Sequence, residues 1–158
     1  MALCGGAGGV LLINDEPKEY FKVVWTPQLA KKLKVKIGDP AAQTVWEYAA
    51  ALLTLIAWGS AHRVQGLHVQ GDNIPALQGA VTLTGRNKLT AITKELSWRR
   101  VRYGWKYDAG HLPSEANTVA DALSRLAAPA GSDRKQFPTQ LSEAAEVSLD
   151  PDSLLTLL

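Results

Sequence analysis

A single cysteine, Cys4, stands in the 158 residues, so the chain can form no internal disulfide, and this sparse usage fits a reducing compartment. No run of about eighteen apolar residues occurs, which leaves no candidate for a membrane-spanning helix and no expectation of a membrane partner. Met1 to Val10 lacks a basic region followed by an apolar block, so no secretory signal is expected there and an intracellular setting, cytoplasm or nucleus, is. The same stretch is rich in glycine yet lacks the Gly-Lys-Ser/Thr ending of a phosphate-binding loop, which argues against a nucleoside triphosphatase. A strong charge of either sign is missing too: the net value is +2. That balance hides a split. From Ala128 onward five acidic residues face two basic ones, which leaves the body from Met1 to Ala127 clearly basic. A basic body is compatible with a polyanionic partner without requiring one.

What is present suffices for one good core. At 46% apolar content the chain is expected to fold as one domain over residues 1–127. A linker follows at Pro129-Ala130-Gly131-Ser132, then an acidic, leucine-rich tail, 128–158 in all. Gly8 to Asn14 and Glu19 to Trp25 read as strands joined by so short a turn that they should form an antiparallel hairpin. Part of Thr26 to Lys36 reads as helix, and an edge strand in that region stays open. In Gln43 to Trp58, Val45, Ala49, Leu52, Leu53 and Ile56 recur at helical spacing. Gly66 to Gln70 alternates as a strand that stops at Asp72, with a short helix near Ile74 to Gly79. Asn87 to Tyr103 reads as a long helix with Leu89, Ile92, Leu96 and Val101 as its apolar side. Trp105 to His111 reads as a strand, and Ser114 to Leu126 as a final helix capped by Ser114. This order predicts a mixed α/β protein, a sheet with helices on its faces.

Three carboxylates fall at telling places: Glu47 in the first long helix, Asp72 at a strand end, Asp121 in the last helix. Converging near strand ends, they would suit hard divalent cations, which prefer oxygen ligands. Each also has a plainer role: Glu47 as a first-turn acid, Asp72 as a helix cap, Asp121 as the partner of Arg125 one turn on. Between Arg86 and Lys106 seven basic residues, Arg99, Arg100 and Arg102 among them, meet one acidic residue, Glu95. Trp98, Tyr103, Trp105 and Tyr107 interleave with them. Such a mixture suits a nucleic-acid backbone and its sugars, or else core aromatics beside a solvated charged face.

The run His111-Leu112-Pro113-Ser114-Glu115-Ala116-Asn117-Thr118-Val119-Ala120-Asp121-Ala122-Leu123-Ser124-Arg125 resembles the closing motif of ribonuclease H domains, in particular those of retrotransposon-type reverse transcriptases. Val69 to Leu77, with Gly71-Asp72-Asn73 at its centre, resembles that family's strand-end motif, and Trp46-Glu47-Tyr48 its glutamate helix. The resemblance covers about residues 1 to 127. It implies a ribonuclease H-like fold with a central mixed five-stranded sheet. The implied activity is hydrolysis of the RNA strand of an RNA/DNA hybrid with two Mg2+ ions, Mn2+ being able to substitute, in a chain covalently linked to a reverse transcriptase domain. It implies Glu47, Asp72 and Asp121 as metal ligands and His111 as the histidine that assists proton transfer or product release. It further implies Asn73 as a contact to the RNA strand near its 2′-hydroxyl and Asn117 as a support of the loop. The family opens its first strand with an aspartate, and here Met1 takes that place. A thioether does not hold a hard cation as a carboxylate does. Either the sequence begins one residue past the aspartate, or the aspartate has been replaced, or the domain lacks it. Impaired metal binding and cleavage are expected from the chain as it stands, and the alternative is an inactive module of the same fold that grips nucleic acid or a polymerase partner.

Overall fold

The glycines at the start of the chain let two layers close on one strand. In the computed structural model, which describes residues 5–62, 65–71, 89–112, 117–126 and 135–156, strand β1 (Gly6–Ile13) pairs antiparallel with β2 (Glu16–Val24). A Cβ on Gly8 would lie 2.3 Å from the Leu123 Cβ, and one on Gly9 2.3 Å from the Phe21 ring. Both distances are below any real contact, so the helix that carries Leu123 reaches β1 only because side chains are missing there. The hairpin turns on Asn14 and Asp15 with φ of 53° and 64°, the left-handed pair of a two-residue loop that matches strand twist. Its register slips between Leu11 and Leu12, opposite Pro17, which has no N–H to give.

After Trp25 the chain turns helical. The Thr26 side chain accepts from the Leu29 N–H, Pro27 opens helix α1 (Pro27–Leu33), and Lys34 closes it in the left-handed conformation. Asp39 caps a single 3₁₀ turn, Pro40–Ala42, which leads into α2 (Gln43–Trp58). Helix α2 is the centre of the main core. Val45, Ala49, Leu52 and Leu53 are buried as the spacing implies, and Trp46, Tyr48, Leu55 and Trp58 are buried as well. Trp46 stacks on Trp25 at 4.8 Å, and the Trp58 indole donates to Glu19 on β2.

Strand β3 (Leu67–Gly71) turns Leu67 and Val69 toward this core and His68 and Gln70 outward. Helix α3 (Thr90–Tyr103) follows, then β4 (Tyr107–His111), parallel to β3, then α4 (Thr118–Ser124), which lies on β1 and β2. Val101, expected on the buried side of α3, is 85% exposed. It stands five residues past Leu96, about 140° around the helix, so the buried side continues through Arg99 instead.

Mixed α/β architecture is therefore the outcome. Among the described residues, however, the five strands do not form the single five-stranded sheet that was expected. They divide into a three-stranded sheet, β1-β2-β5, and a two-stranded one, β3-β4. The open question of an edge strand after Trp25 is answered by α1, and the strand beside β2 comes from the tail. There β5 (Ala145–Glu146) runs parallel to Glu19–Tyr20. The tail contributes to both hydrophobic cores: Leu141 joins Tyr20 and Leu123 in a small second core, while Leu154 and Leu155 enter the main one. Asp152 receives a hydrogen bond from Thr26, and the segment ends with Thr156 bonded to Glu95. No described helix is long and apolar enough to cross a membrane.

Candidate functional site

Parallel pairing of β3 and β4 fixes one relation among the sequence-derived site residues. Gly71 stands opposite His111, and the Leu112 N–H donates to the Gly71 carbonyl at 2.8 Å. The strand that precedes Asp72 thus ends level with the exposed His111. Asp72, Asn73 and Met1 lie outside the described residues. Glu47 projects from α2, half-buried, and accepts from the Gln43 amide at 2.7 Å. Asp121 lies on α4, 2.9 Å from the Arg125 guanidinium, so the plainer ion-pair role expected from the spacing is realised. Strand β1 relates these two helices, since it packs against α2 and against α4. Asn117 stands at the N-cap of α4, in place of the expected Ser114, and makes no side-chain cap bond; Ser114 is outside the described residues.

Chemically, Glu47 and Asp121 are the oxygen donors a hard cation needs, and each is already engaged by a neutral amide or a guanidinium. Among the described residues no three His, Cys, Asp or Glu side chains come together as a metal-holding group, a set that does not include Asp72. Across the strand pair, His68 on β3 stands opposite Asp108 on β4, and its Nδ1 lies 2.6 Å from the Asp108 carboxylate, both side chains being exposed. Strand register makes that pair, so nothing in the linear sequence announces it.

The basic segment resolves into two parts. Arg99 turns inward: its side chain is 11% exposed, its Nε donates to Glu95 at 2.8 Å, and its Nη2 donates to the Ser153 carbonyl. Arg99, one of the residues expected to touch nucleic acid, is thus largely buried, with one bond to Glu95 on its own helix and one to Ser153 in the tail. The Glu95-to-Arg99 spacing of four was the available signal. Arg100 and Arg102 remain on the outer side. Arg100 lies 5.0 Å over the Tyr107 ring, and Arg102 lies 5.2 Å over Trp98 and 5.7 Å over Tyr103.

Two phenols between α2, α3 and β4 are displaced upward. Burial pushes the Tyr107 hydroxyl to about 12, with nearby Arg100 opposing and Tyr48 adding to the shift. Burial likewise raises Tyr48, whose hydroxyl lies 3.4 Å from the Thr93 oxygen. An unfolded tyrosine loses its proton near 10, while folded Tyr107 keeps it to about 12. Between those values the unfolded chain binds fewer protons than the folded one, so stability falls as pH rises through this window. Below it, these groups add no pH dependence. Thermal melts from pH 9 to 12 should show the decline, and Tyr107→Phe should make it shallower. An unchanged slope in that variant would refute the assignment.

Compared with protein-family models, with curated proteins and with solved structures, the chain matches none.

Proposed function

We propose that this chain is a ribonuclease H-type domain, built to hydrolyse the RNA strand of RNA/DNA hybrids and belonging with a reverse transcriptase. The observation that carries the reading is the Gly71–His111 register, which sets the end of the Gly-Asp-Asn strand level with the histidine that opens the His111 to Arg125 run. Support also comes from α4, the helix that carries Asp121, which packs on the same strand, β1, that touches the Glu47 helix. Glu47, Asp72 and Asp121 are the groups that would hold Mg2+, or Mn2+ in its place, and the bound ions would supply an activated water and a stabilised leaving oxygen. His111, exposed at the strand end, would move a proton at the product side. Asn73 would meet the RNA strand, and Arg100 and Arg102 the phosphates beyond it. The Arg125 and Gln43 contacts would have to yield for both carboxylates to act as ligands.

A second reading has its own observation. Asp121 closed on Arg125 favours a module of related architecture that binds nucleic acid or a polymerase partner without cutting. One experiment separates them: cleavage and binding of a labelled RNA/DNA hybrid in Mg2+ and in Mn2+. It compares the chain as it stands, a version with Met1→Asp behind a short N-terminal extension, and that version with Asp121→Asn. The nuclease reading expects the restored chain to cut, and Asp121→Asn to abolish cutting while leaving binding. Binding without cutting in every version gives the second reading, and absence of both sinks the two together.

A further inference from the structure

We propose that the last turns of α3, with the residues leading into β4, form a stacking ledge for unpaired nucleobases in single-stranded nucleic acid. The inference shares with the nuclease reading the premise that the ligand is nucleic acid, and the use of Arg102 on a phosphate.

Three aromatic rings build the ledge from the inside out. Trp105 is buried at 4% exposure and fixed by its indole bond to Ser60. Tyr103 stacks on it at 5.9 Å and 25°, and Trp98 meets Tyr103 edge-on at 6.3 Å. Tyr103 and Trp98 are 39% and 40% exposed, unusual for rings this large. Their positions do not wait on a ligand. The buried ring and the helix hold them, so little freedom is lost when a base arrives. Arg102 lies over both exposed rings and can meet the phosphate beside a stacked base.

Charge selects the ligand. Lys94, Arg102 and Lys106 are exposed, and Arg100 is partly so. Glu95, the one acidic residue of the segment, is fully buried and satisfied by Arg99 and Thr156, so it does not offset them at the surface. The next carboxylate along the chain, Asp108, faces His68. Cations interleaved with partly exposed rings suit a flexible strand of bases and phosphates, a base taking its place on Trp98 or Tyr103 as Arg102 swings to the phosphate beside it. A duplex keeps its base faces to itself, so the rings gain nothing from paired nucleic acid. An acidic peptide would use the charges and leave the rings idle.

The test measures binding of three labelled probes at one salt concentration: an oligothymidylate of roughly ten nucleotides, a blunt RNA/DNA hybrid, and the same hybrid with a single-stranded overhang. Trp98→Ala should weaken the oligothymidylate and remove the overhang's advantage by about tenfold, with blunt-hybrid binding within about twofold of the parent. Trp98→Phe should restore most of the loss, and Arg102→Gln should lower the salt slope by about one. Melting curves confirm that each variant is folded. Equal loss on all three probes, or an acidic peptide that binds as tightly and loses as much in Trp98→Ala, overturns the ledge. Hybrid cleavage is read on the same samples with the restored chain. Cleavage without overhang preference sinks the ledge alone, and overhang preference without cleavage sinks the nuclease reading alone.

Discussion

Ending the chain after residue 134 is expected to remove most of its stability. The deletion uncovers the sites of Leu141, Leu154 and Leu155, which are 1%, 0% and 4% exposed. Each such side chain is worth about 1.5–3 kcal/mol in burial alone, and a domain has only about 5–15 kcal/mol in total. The polar losses add to this. Glu95 loses both bonds from Thr156, Arg99 loses the Ser153 carbonyl, and Thr26 loses Asp152. The β2 edge beside Glu19 and Tyr20 loses its partner strand, and open edges invite association. Guanidinium unfolding of the shortened chain should show no folded baseline, or a midpoint far below the parent's. Leu154→Ala by itself should cost about 2–5 kcal/mol. A shortened chain as stable as the parent would mean that the tail merely rests on the surface.

That expectation runs against the composition, which marks a boundary near Ala127. The tail is acidic, poor in aromatics and preceded by a Pro-Ala-Gly-Ser stretch. Its anchoring rests on Leu141, on the adjacent Leu154 and Leu155, on a two-residue strand and on a few long-range hydrogen bonds, none of which forms a periodic pattern. Helix α2 is the opposite case. Its apolar spacing, with a break before it, gave the same bounds, Gln43 to Trp58, that the structure has. The hairpin was legible too, since a short link between strands admits little else, although the strands run Gly6–Ile13 and Glu16–Val24 rather than from Gly8 and from Glu19. The failure in α3 was one of helical phase: Val101 is apolar, but only its angular distance from Leu96 says that it faces water.

For the candidate site, the local pattern placed Glu47 and Asp121 on helices and His111 at a strand end, and all three lie there. What a linear reading could not weigh is competition for those groups. Gln43 and Arg125 each lie one helical turn from the carboxylate they engage, so both contacts were available at the spacing of four. Arg102 meets Trp98 and Tyr103 within α3 itself, whereas the cation–π position of Arg100 depends on where the chain returns after Gly104, which adopts a left-handed φ of 65°. That return sets Trp105 beneath Tyr103 and Tyr107 beneath Arg100.

Glu95 provides the sharpest energetic test, because its charge is fully enclosed. Its two oxygens accept from the Arg99 guanidinium and from both the N–H and the hydroxyl of Thr156. Glu95→Ala leaves the Arg99 side chain, 11% exposed, with the Ser153 carbonyl as the remaining contact seen here, and strands the Thr156 donors. Breaking a buried pair from one side costs about 3–5 kcal/mol. Glu95→Gln keeps the shape and one acceptor, and should cost about 1–3 kcal/mol. Replacing both partners, Glu95→Leu with Arg99→Met, removes the enclosed charges together, so it should destabilise less than Glu95→Ala does. It should not be neutral, since Thr156 and Ser153 still lose their partners. Guanidinium denaturation of the singles and the double gives the coupling between the two residues. A Glu95→Ala cost below about 0.5 kcal/mol, the range of a surface change, would mean that this carboxylate does not hold the chain's end to α3. A large coupling would instead show that the two side chains act as one unit on α3, one arm of which, the Arg99 guanidinium, reaches the Ser153 carbonyl of the tail.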